Sequence, residues 1–170
     1  MLLPHITALT DHASVGTYTI AIARLLHETG LFLKEQGATP RAIDLLQRAN
    51  IFLQQSLGAD HPDTLTARNN LALACETAGD LGRAIPLFET TLVDCERILG
   101  ADHPNTLSSR NNLASAYESA GDLGRAIPLY EATLAESERV LGADHPSTLS
   151  SRNNLAYAYE LALSCSARAR

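Results

Sequence analysis

The chain has 170 residues, of which 45% are hydrophobic, and this supplies enough apolar material for a continuous core. Its formal net charge of −6 at pH 7 argues against a nucleic-acid partner, which a basic surface would attract. The sequence predicts neither a membrane-spanning run nor a cleavable leader, so we expect a cytoplasmic protein with no membrane partner. Cys75 and Cys95 lie in apolar helical patterns, which favours buried thiols over disulfides.

An internal repeat organises the sequence. Leu57–Ile98 and Leu99–Val140 agree at 30 of 42 positions, without insertion or deletion. The repeat begins again at Leu141, and residues 141–162 match residues 99–120 at 19 of 22 positions. A fixed period of this size is typical of stacked supersecondary units and not of a single globular core.

The N-terminal part of the chain contains diverged copies of this repeat. Gly37 and Arg41 lie one full period before Gly79 and Arg83, so residues 15–56 form one diverged repeat. Its helices are predicted near residues 19–36 and 40–57. The preceding residues, 1–14, align with the second helix of a repeat whose first helix is absent.

The repeats at residues 57–98 and 99–140 each contain two helical patterns. In the second of these, we predict helices over residues 104–120 and 123–141. Gly121 provides a stop between them because glycine tolerates the left-handed conformation, and Asp122 provides an N-terminal cap. Pro128 lies early in its helix, where we expect a slight bend and not a break.

The C-terminal part of the chain departs from the repeat. Residues 141–162 form the first helix of an incomplete repeat, and residues 163–170 form an atypical tail in which no second helix is opened. We therefore interpret the chain as a piece of a longer array that is open at both ends.

The repeat resembles the tetratricopeptide repeat (TPR), which is typified by a pattern of small, aromatic and glycine positions. The matching residues are Leu71, Ala72, Cys75, Gly79, Ala84 and Phe88, and then Leu113, Ala114, Tyr117, Gly121, Ala126 and Tyr130. The period and the Leu-Gly-Ala-Asp-His-Pro and Asn-Asn-Leu-Ala segments are similar to the 42-residue variety of kinesin light chains. The resemblance implies an all-α fold, a right-handed α-solenoid of stacked antiparallel helix pairs. Arginines replace the tryptophan often found in the first helix, at Arg68, Arg110 and Arg152.

The resemblance also implies a binding groove, because the first helix of each TPR lines the inner surface of the superhelix. Asparagine side chains there can pair with the backbone of an extended peptide through their amide donors and acceptor. Carried over to this sequence, the groove positions are Thr66, Asn69, Leu73 and Glu76, then Ser108, Asn111, Ser115 and Glu118, and then Asn153 and Tyr157. The glutamates predict a preference for basic or neutral peptides.

Two features of these first helices have more than one interpretation. Each helix has two adjacent asparagines, and either could face the ligand while the other ties neighbouring repeats together. The arginines at positions 68, 110 and 152 could bridge repeats, which we favour, or contact an acidic ligand.

The recurring Asp-His-Pro and Gly-Asp-Leu-Gly-Arg segments fit helix caps and turns better than a metal site or a catalytic site. The Asp-His-Pro triplets recur once per repeat, too far apart for two histidines to share an ion, and a polar cap before a first-turn proline explains them better. The Gly-Asp-Leu-Gly-Arg segments lack the spacing of a phosphate loop and are predicted to be turns. The histidines of the diverged repeats, His5, His12 and His27, show no recurring pattern. We expect no catalytic residue, metal or cofactor.

Three functions remain open at this stage. The first is a protein-interaction scaffold that holds a peptide segment or a partner helix in its concave groove. The second is the sensor region of a larger bacterial signalling ATPase, in which similar arrays occur. The third is self-association through the open C-terminal repeat, whose apolar residues are Leu155, Tyr159, Leu161 and Leu163.

Overall fold

The computed structural model describes the backbone of residues 19–168 and the side chains of residues 20–165. The helix predicted for residues 1–14 lies outside this range. The described residues form seven α-helices and no strand, and none of these helices is both long and apolar enough to cross a membrane. The helices are α1 Thr19–Glu35, α2 Thr39–Leu57, α3 Pro62–Thr77, α4 Leu81–Leu99, α5 Pro104–Ser119, α6 Leu123–Leu141 and α7 Pro146–Arg168.

Helices α3, α5 and α7 each begin with a histidine cap followed by proline. The imidazole Nδ1 of His61 accepts a hydrogen bond from the backbone N–H of Asp63, and His103 does the same for Asn105, both at 3.1 Å. His145 accepts the equivalent hydrogen bond from the backbone N–H of Ser147, also at 3.1 Å. These bonds satisfy amides that have no partner within the helix. The predicted polar caps are therefore confirmed, with histidine as the capping side chain.

The turn that follows α5 has the predicted glycine stop and aspartate start. Gly121 adopts a φ of +77°, and the next amide, of Asp122, reaches back to the carbonyl of Tyr117 at 2.8 Å. The Asp122 carboxylate then accepts a hydrogen bond from the backbone N–H of Arg125 at 3.1 Å and caps α6. Gly79 closes α3 in the same way, with a φ of +76°.

Two helices contain an internal proline, and neither is broken by it. Pro86 lies within the continuous helix α4, and Pro128 lies within α6. Helix α7 runs to Arg168, well past the point where α5 stops. Leu163 stands where the earlier repeat has Gly121, so the left-handed stop is missing and the helix continues through the described part of the atypical tail.

The chain divides into two compact units, Met1–Asp80 and Leu81–Arg170, which we call unit one and unit two. In unit one, α1 packs on α2 and α2 packs on α3, and α1 also contacts α3. Leu26, Leu45 and Ala42 are among the buried residues of its core. A Cβ atom added to Gly30 would lie 2.8 Å from the Cγ of Leu46, so glycine permits close packing of α1 on α2.

In unit two, each helix from α4 to α7 packs on the next, and α5 also contacts α7. The short connections make neighbouring helices antiparallel. The largest fully buried side chains of this unit are Phe88 in α4 and Tyr130 in α6. Cys95 is buried and is not part of a disulfide, and Cys75 in unit one is likewise a buried thiol, as predicted.

Candidate functional site

Hydrogen bonds between equivalent helices distinguish the two asparagines of a pair. In unit two, the Nδ2 of Asn154 donates to the Oδ1 of Asn111 at 3.2 Å, which ties α7 to α5. In unit one, the Nδ2 of Asn70 lies 2.9 Å from the Nε2 of His27, which ties α3 to α1. In both bonds, the second asparagine of its helix contacts the residue that occupies the first-asparagine position in the preceding repeat. His27 occupies the position in its repeat that Asn69 occupies in the next one.

The predicted groove residues of unit two lie on one side of α5 and α7. They are spaced by three or four residues along each helix, so they share a helical face. Asn111 is half-buried beneath its bond from Asn154, whereas Asn153 is exposed and Tyr157 is 54% exposed. The other groove residues of this unit are Ser108, which is exposed, and Ser115 and Glu118, which are half-buried.

The groove residues of unit one occupy the equivalent face of α3. Asn69, Leu73 and Glu76 are half-buried, and Thr66 is exposed. The hydroxyl of Thr77 bonds its own helix, to the carbonyl of Leu73 at 2.8 Å, so it is directed at the backbone. The accessible side chains of this face are therefore small, amide or apolar groups with one carboxylate.

A cleft of about 310 Å³ opens within unit two, between α5, the end of α6 and the start of α7. Ser108, Asn111 and Asn112 line it from α5, and Ser147 and Ser150 line it from α7. Thr133 and Ser137, each 1% exposed, form part of its floor on α6. Two of the predicted groove residues, Ser108 and Asn111, therefore belong to an actual depression in the surface.

A second cleft, of about 400 Å³, lies within unit one. Its lining includes Arg24, His27 and Glu28 from α1 and Asp63 from α3. Arg24 and Asp63 form an ion pair at 3.0 Å, with the two side chains 68% and 39% exposed. Burial lowers the pKa of His27 below its usual 6.5, against the opposing effect of the Glu28 and Asp63 carboxylates. His27 is therefore mainly neutral at pH 7. It carries an imidazole ring where the equivalent positions of the later repeats carry an asparagine amide.

Two of the three recurring arginines join neighbouring repeats. Arg110 on α5 bonds Glu96 on α4 at 2.7 Å, and Arg152 on α7 bonds Glu138 on α6 at 2.7 Å. In each pair the glutamate belongs to the preceding repeat, as the favoured bridging interpretation expected. Arg68 is 7% exposed and is thus a buried residue of α3.

Comparison with family models identifies the chain. Two models, both described as tetratricopeptide repeat, match residues 21–92 and 106–147, which together make up more than half of the chain. The chain belongs to the tetratricopeptide-repeat family. No curated protein matches the sequence significantly.

Solved structures agree with this TPR assignment. Two crystal structures of a Podosopora anserina protein are similar to this chain, both with 27% identity. That protein is described as a kinesin light chain with nearly identical TPR-like repeats. Their TM-scores are 0.78 and 0.76, and the match covers 94% of this chain and 74% and 75% of those chains. BtubC (BKLC) of P. vanneervenii shares the fold, with a TM-score of 0.78, 19% identity and coverage of 88% of this chain and 59% of its own. The fold is thus an all-α solenoid of the kinesin-light-chain type, and such TPR repeats are typically non-catalytic.

The C-terminal TPR helix exposes residues that its counterpart buries. Leu107 and Tyr117 of α5, which α6 covers, are 4% and 5% exposed. Their equivalents in α7, Leu149 and Tyr159, are 42% and 43% exposed, because no helix follows α7 among the described residues. Tyr159 nevertheless donates a hydrogen bond to the carboxylate of Glu131, as Tyr117 does to Glu89 in the preceding repeat.

The four residues predicted to mediate self-association lie on two sides of α7. Leu155, Tyr159 and Leu163 follow one another at intervals of four, so they share one side, and Leu163 is 72% exposed. Leu155 is half-buried. Leu161 is two residues from Tyr159, which places it on the other side of the helix, where it is half-buried. Leu149 was missed by sequence reasoning, although its position one period after Leu107 was a usable signal.

Sequence reasoning also missed the charged cleft of unit one. His27 shows no pattern among the histidines, yet counting one period back from Asn69 reaches it. Arg24, Glu28 and Asp63 are polar surface positions in a single sequence, and only the packing of α1 beside α3 brings them together. Among the described residues, no group of three histidine, cysteine or acidic side chains could hold a metal ion.

Proposed function

We propose that this TPR chain binds an extended peptide segment of a partner protein along its first helices. TPR repeats generally mediate protein–protein interaction, and this much follows from family membership. The observation that supports the finer proposal is the side-chain arrangement of unit two. There the Asn153 amide is exposed, while the Asn154 amide is engaged with Asn111.

Asparagine suits backbone recognition because its amide carries two N–H donors and an acceptor oxygen. An extended peptide presents alternating N–H and C=O groups, which such an amide can pair with whatever the peptide sequence. The Asn111 oxygen accepts the bond from Asn154, so Asn111 would turn its N–H donors towards a ligand carbonyl. Asn153 would use either end of its amide. Tyr157 and Ser115 would then contact the side chains of the peptide.

The test is a peptide selection followed by affinity measurement. Random twelve-residue peptides displayed on phage would be selected on the 170-residue chain, and the Kd of the selected peptides would be measured by fluorescence polarisation. We expect Asn153→Leu to weaken binding at least about tenfold, equivalent to about 1.4 kcal/mol. Ala135→Leu adds a similar apolar group at an exposed position of α6 and should leave the Kd unchanged.

The two asparagines of α7 provide a sharper comparison. Asn154→Ala removes the bond to Asn111 and should reduce stability more than it reduces peptide affinity, because its amide is directed at the protein. Asn153→Ala should have the opposite effect. Equal Kd values for Asn153→Leu and the unmodified chain, with unchanged circular dichroism, would refute the proposal.

A second function is favoured by the exposed side of α7. We propose that Leu149, Tyr159 and Leu163 support self-association of this chain, because they form an exposed apolar stripe and the counterparts of Leu149 and Tyr159 in the preceding repeat are buried. Leu163→Glu should abolish concentration-dependent association, measured by sedimentation equilibrium. The exposed Ser164→Glu, one residue further along, is the matched control. A strictly monomeric profile of the unmodified chain at high concentration would contradict this second proposal.

A further inference from the structure

The clefts of unit one and unit two are the same structural feature at two places in the repeat. Each described residue that lines the unit-one cleft has a counterpart two periods later, and all of these counterparts line the unit-two cleft. The pairs are Arg24 and Ser108, His27 and Asn111, Glu28 and Asn112, Leu53 and Ser137, Asp63 and Ser147, and Thr66 and Ser150. Differences between the clefts are therefore differences of side chain at fixed positions.

The chemistry of the two clefts diverges at the charged positions of unit one. Arg24, Glu28 and Asp63 of the first cleft are replaced in the second by a serine, an asparagine and a serine. The unit-two cleft thus presents hydroxyl and amide groups together with the imidazole of His145, which suit a peptide backbone or a neutral polar side chain. The unit-one cleft presents charges, which distinguish ligands by their sign.

The described lining residues of the unit-one cleft carry a negative net charge. Arg24 is paired with Asp63 at 3.0 Å, so its positive charge is already compensated. The Glu28 carboxylate is exposed on the same cleft. His27 adds no positive charge near pH 7, because burial lowers its pKa. Among the described residues of the cleft, an acidic ligand would meet two carboxylates and one engaged guanidinium, whereas a basic ligand would meet Glu28, a carboxylate with no ion pair to another described residue.

The two clefts also differ at one position in their base. Leu53, which is 2% exposed, stands where the unit-two cleft has Ser137. Lysine and arginine carry a long aliphatic stem that packs on apolar surface while the charged end stays near water or a carboxylate. The cleft of about 400 Å³ is open to solvent, with the almost fully buried Leu53 at its base and the exposed Glu28 carboxylate available to the charged group.

We propose that the unit-one cleft is a specificity pocket for a basic side chain, lysine or arginine, of the peptide partner. The proposal rests on the peptide-binding function proposed above and assigns a side-chain preference to it. The charged cleft of unit one would select one residue type of the partner.

The direct test uses a small probe that needs no peptide groove. N-acetyl-lysine methylamide would be titrated into isotope-labelled protein, with backbone amide shifts followed by nuclear magnetic resonance. We expect saturable shifts at Glu28, Asp63 and Thr66 that weaken as salt is raised. N-acetyl-norleucine methylamide has a similar aliphatic stem without the charge and should give no saturable shift.

Two variants exchange the chemistry of the clefts. Glu28→Asn installs the residue type that unit two carries at this position, and it should weaken binding of the lysine probe about fivefold, the upper end of an exposed ion pair. Ser147→Asp installs the Asp63 carboxylate in the unit-two cleft and should produce lysine-dependent shifts there. Glu35→Asn, also on α1 but outside the described cleft lining, removes the same charge as Glu28→Asn; it is the matched control and should leave probe affinity unchanged.

The outcomes separate this inference from the peptide-binding proposal. Equal shifts with the lysine and norleucine probes, or no saturable shift with either, would overturn the basic pocket, whatever Asn153→Leu does to peptide affinity. Lysine-specific shifts that Glu28→Asn reduces would support the pocket, even if the asparagine variants bound peptides normally. Preferential shifts with N-acetyl-glutamate methylamide would also overturn it, because they would mean that Arg24 dominates the cleft.

Discussion

Two leucines that are equivalent in sequence provide a strict test of how packing stabilises this array. Leu107 is 4% exposed beneath α6, and Leu149, its counterpart in the next repeat, is 42% exposed on α7. Leu107→Ala should cost about 2–5 kcal/mol of unfolding free energy, because it removes buried atoms and leaves a cavity. A fully buried leucine loses about 2.4 kcal/mol of transfer free energy on truncation to alanine, and about three-fifths of this, roughly 1.4 kcal/mol, applies at Leu149.

Urea unfolding followed by far-ultraviolet circular dichroism would measure both losses. Because repeat arrays do not always unfold in two states, the curves of all variants should be fitted together with a nearest-neighbour model. Ala116→Gly and Ala158→Gly provide the control, since both alanines are 0% exposed and each change should cost about 1 kcal/mol. Equal losses at Leu107 and Leu149 would refute the reasoning that α6 covers one leucine while the other faces solvent.

Three further predictions concern single contacts. A double-mutant cycle with Arg110→Gln and Glu96→Gln should give a coupling of about 0.2–1 kcal/mol that falls with added salt; a salt-independent coupling would contradict the ion pair. His103→Ala should reduce unfolding free energy by about 0.5–2 kcal/mol in a urea titration, whereas His103→Asn should retain most of the cap. The pKa of His27 is lowered in the folded state, mainly by burial, so its contribution to stability is complete above pH 6.5 and declines as pH falls below 6.5 towards the lowered value. Denaturation midpoints measured against pH should therefore fall less steeply below pH 6.5 in His27→Asn than in the unmodified chain, and parallel curves would exclude this role for the imidazole.

Most of the fold could be predicted from the sequence, because its helix signals are local. The helix predicted over residues 123–141 agrees with α6 at both ends, and the predicted stop at Gly121 has the expected positive φ. Proline, histidine caps and glycine act within one turn of the chain, so the repeat period identifies them without knowledge of packing. The extension of α7 to Arg168 could have been inferred from the same signals, since Leu163 replaces the glycine stop.

The candidate site was less accessible to sequence reasoning, because it depends on how helices pack. Adjacent asparagines differ by about 100° around a helix, so a small rotation of α7 decides whether Asn153 or Asn154 meets α5. The sequence could not supply that rotation. The charged cleft depends on bringing α1 beside α3, and Arg24 and Asp63 are 39 residues apart in the chain.

The contacts between repeats have a consequence for how such a chain can change in length. Asn111 and Asn154 are 43 residues apart, Glu96 and Arg110 are 14 apart, and Glu89 and Tyr117 are 28 apart. Each bond joins one repeat to the next at fixed positions of the same repeating frame. A recombination event that duplicated residues 99–140 would therefore recreate all three bonds at the new junction, because that frame carries both partners of each bond type. Copy number can therefore grow in this part of the array with its inter-repeat bonds preserved, whereas the charged cleft draws on two frames, residues 15–56 and 57–98, and would change if either were deleted.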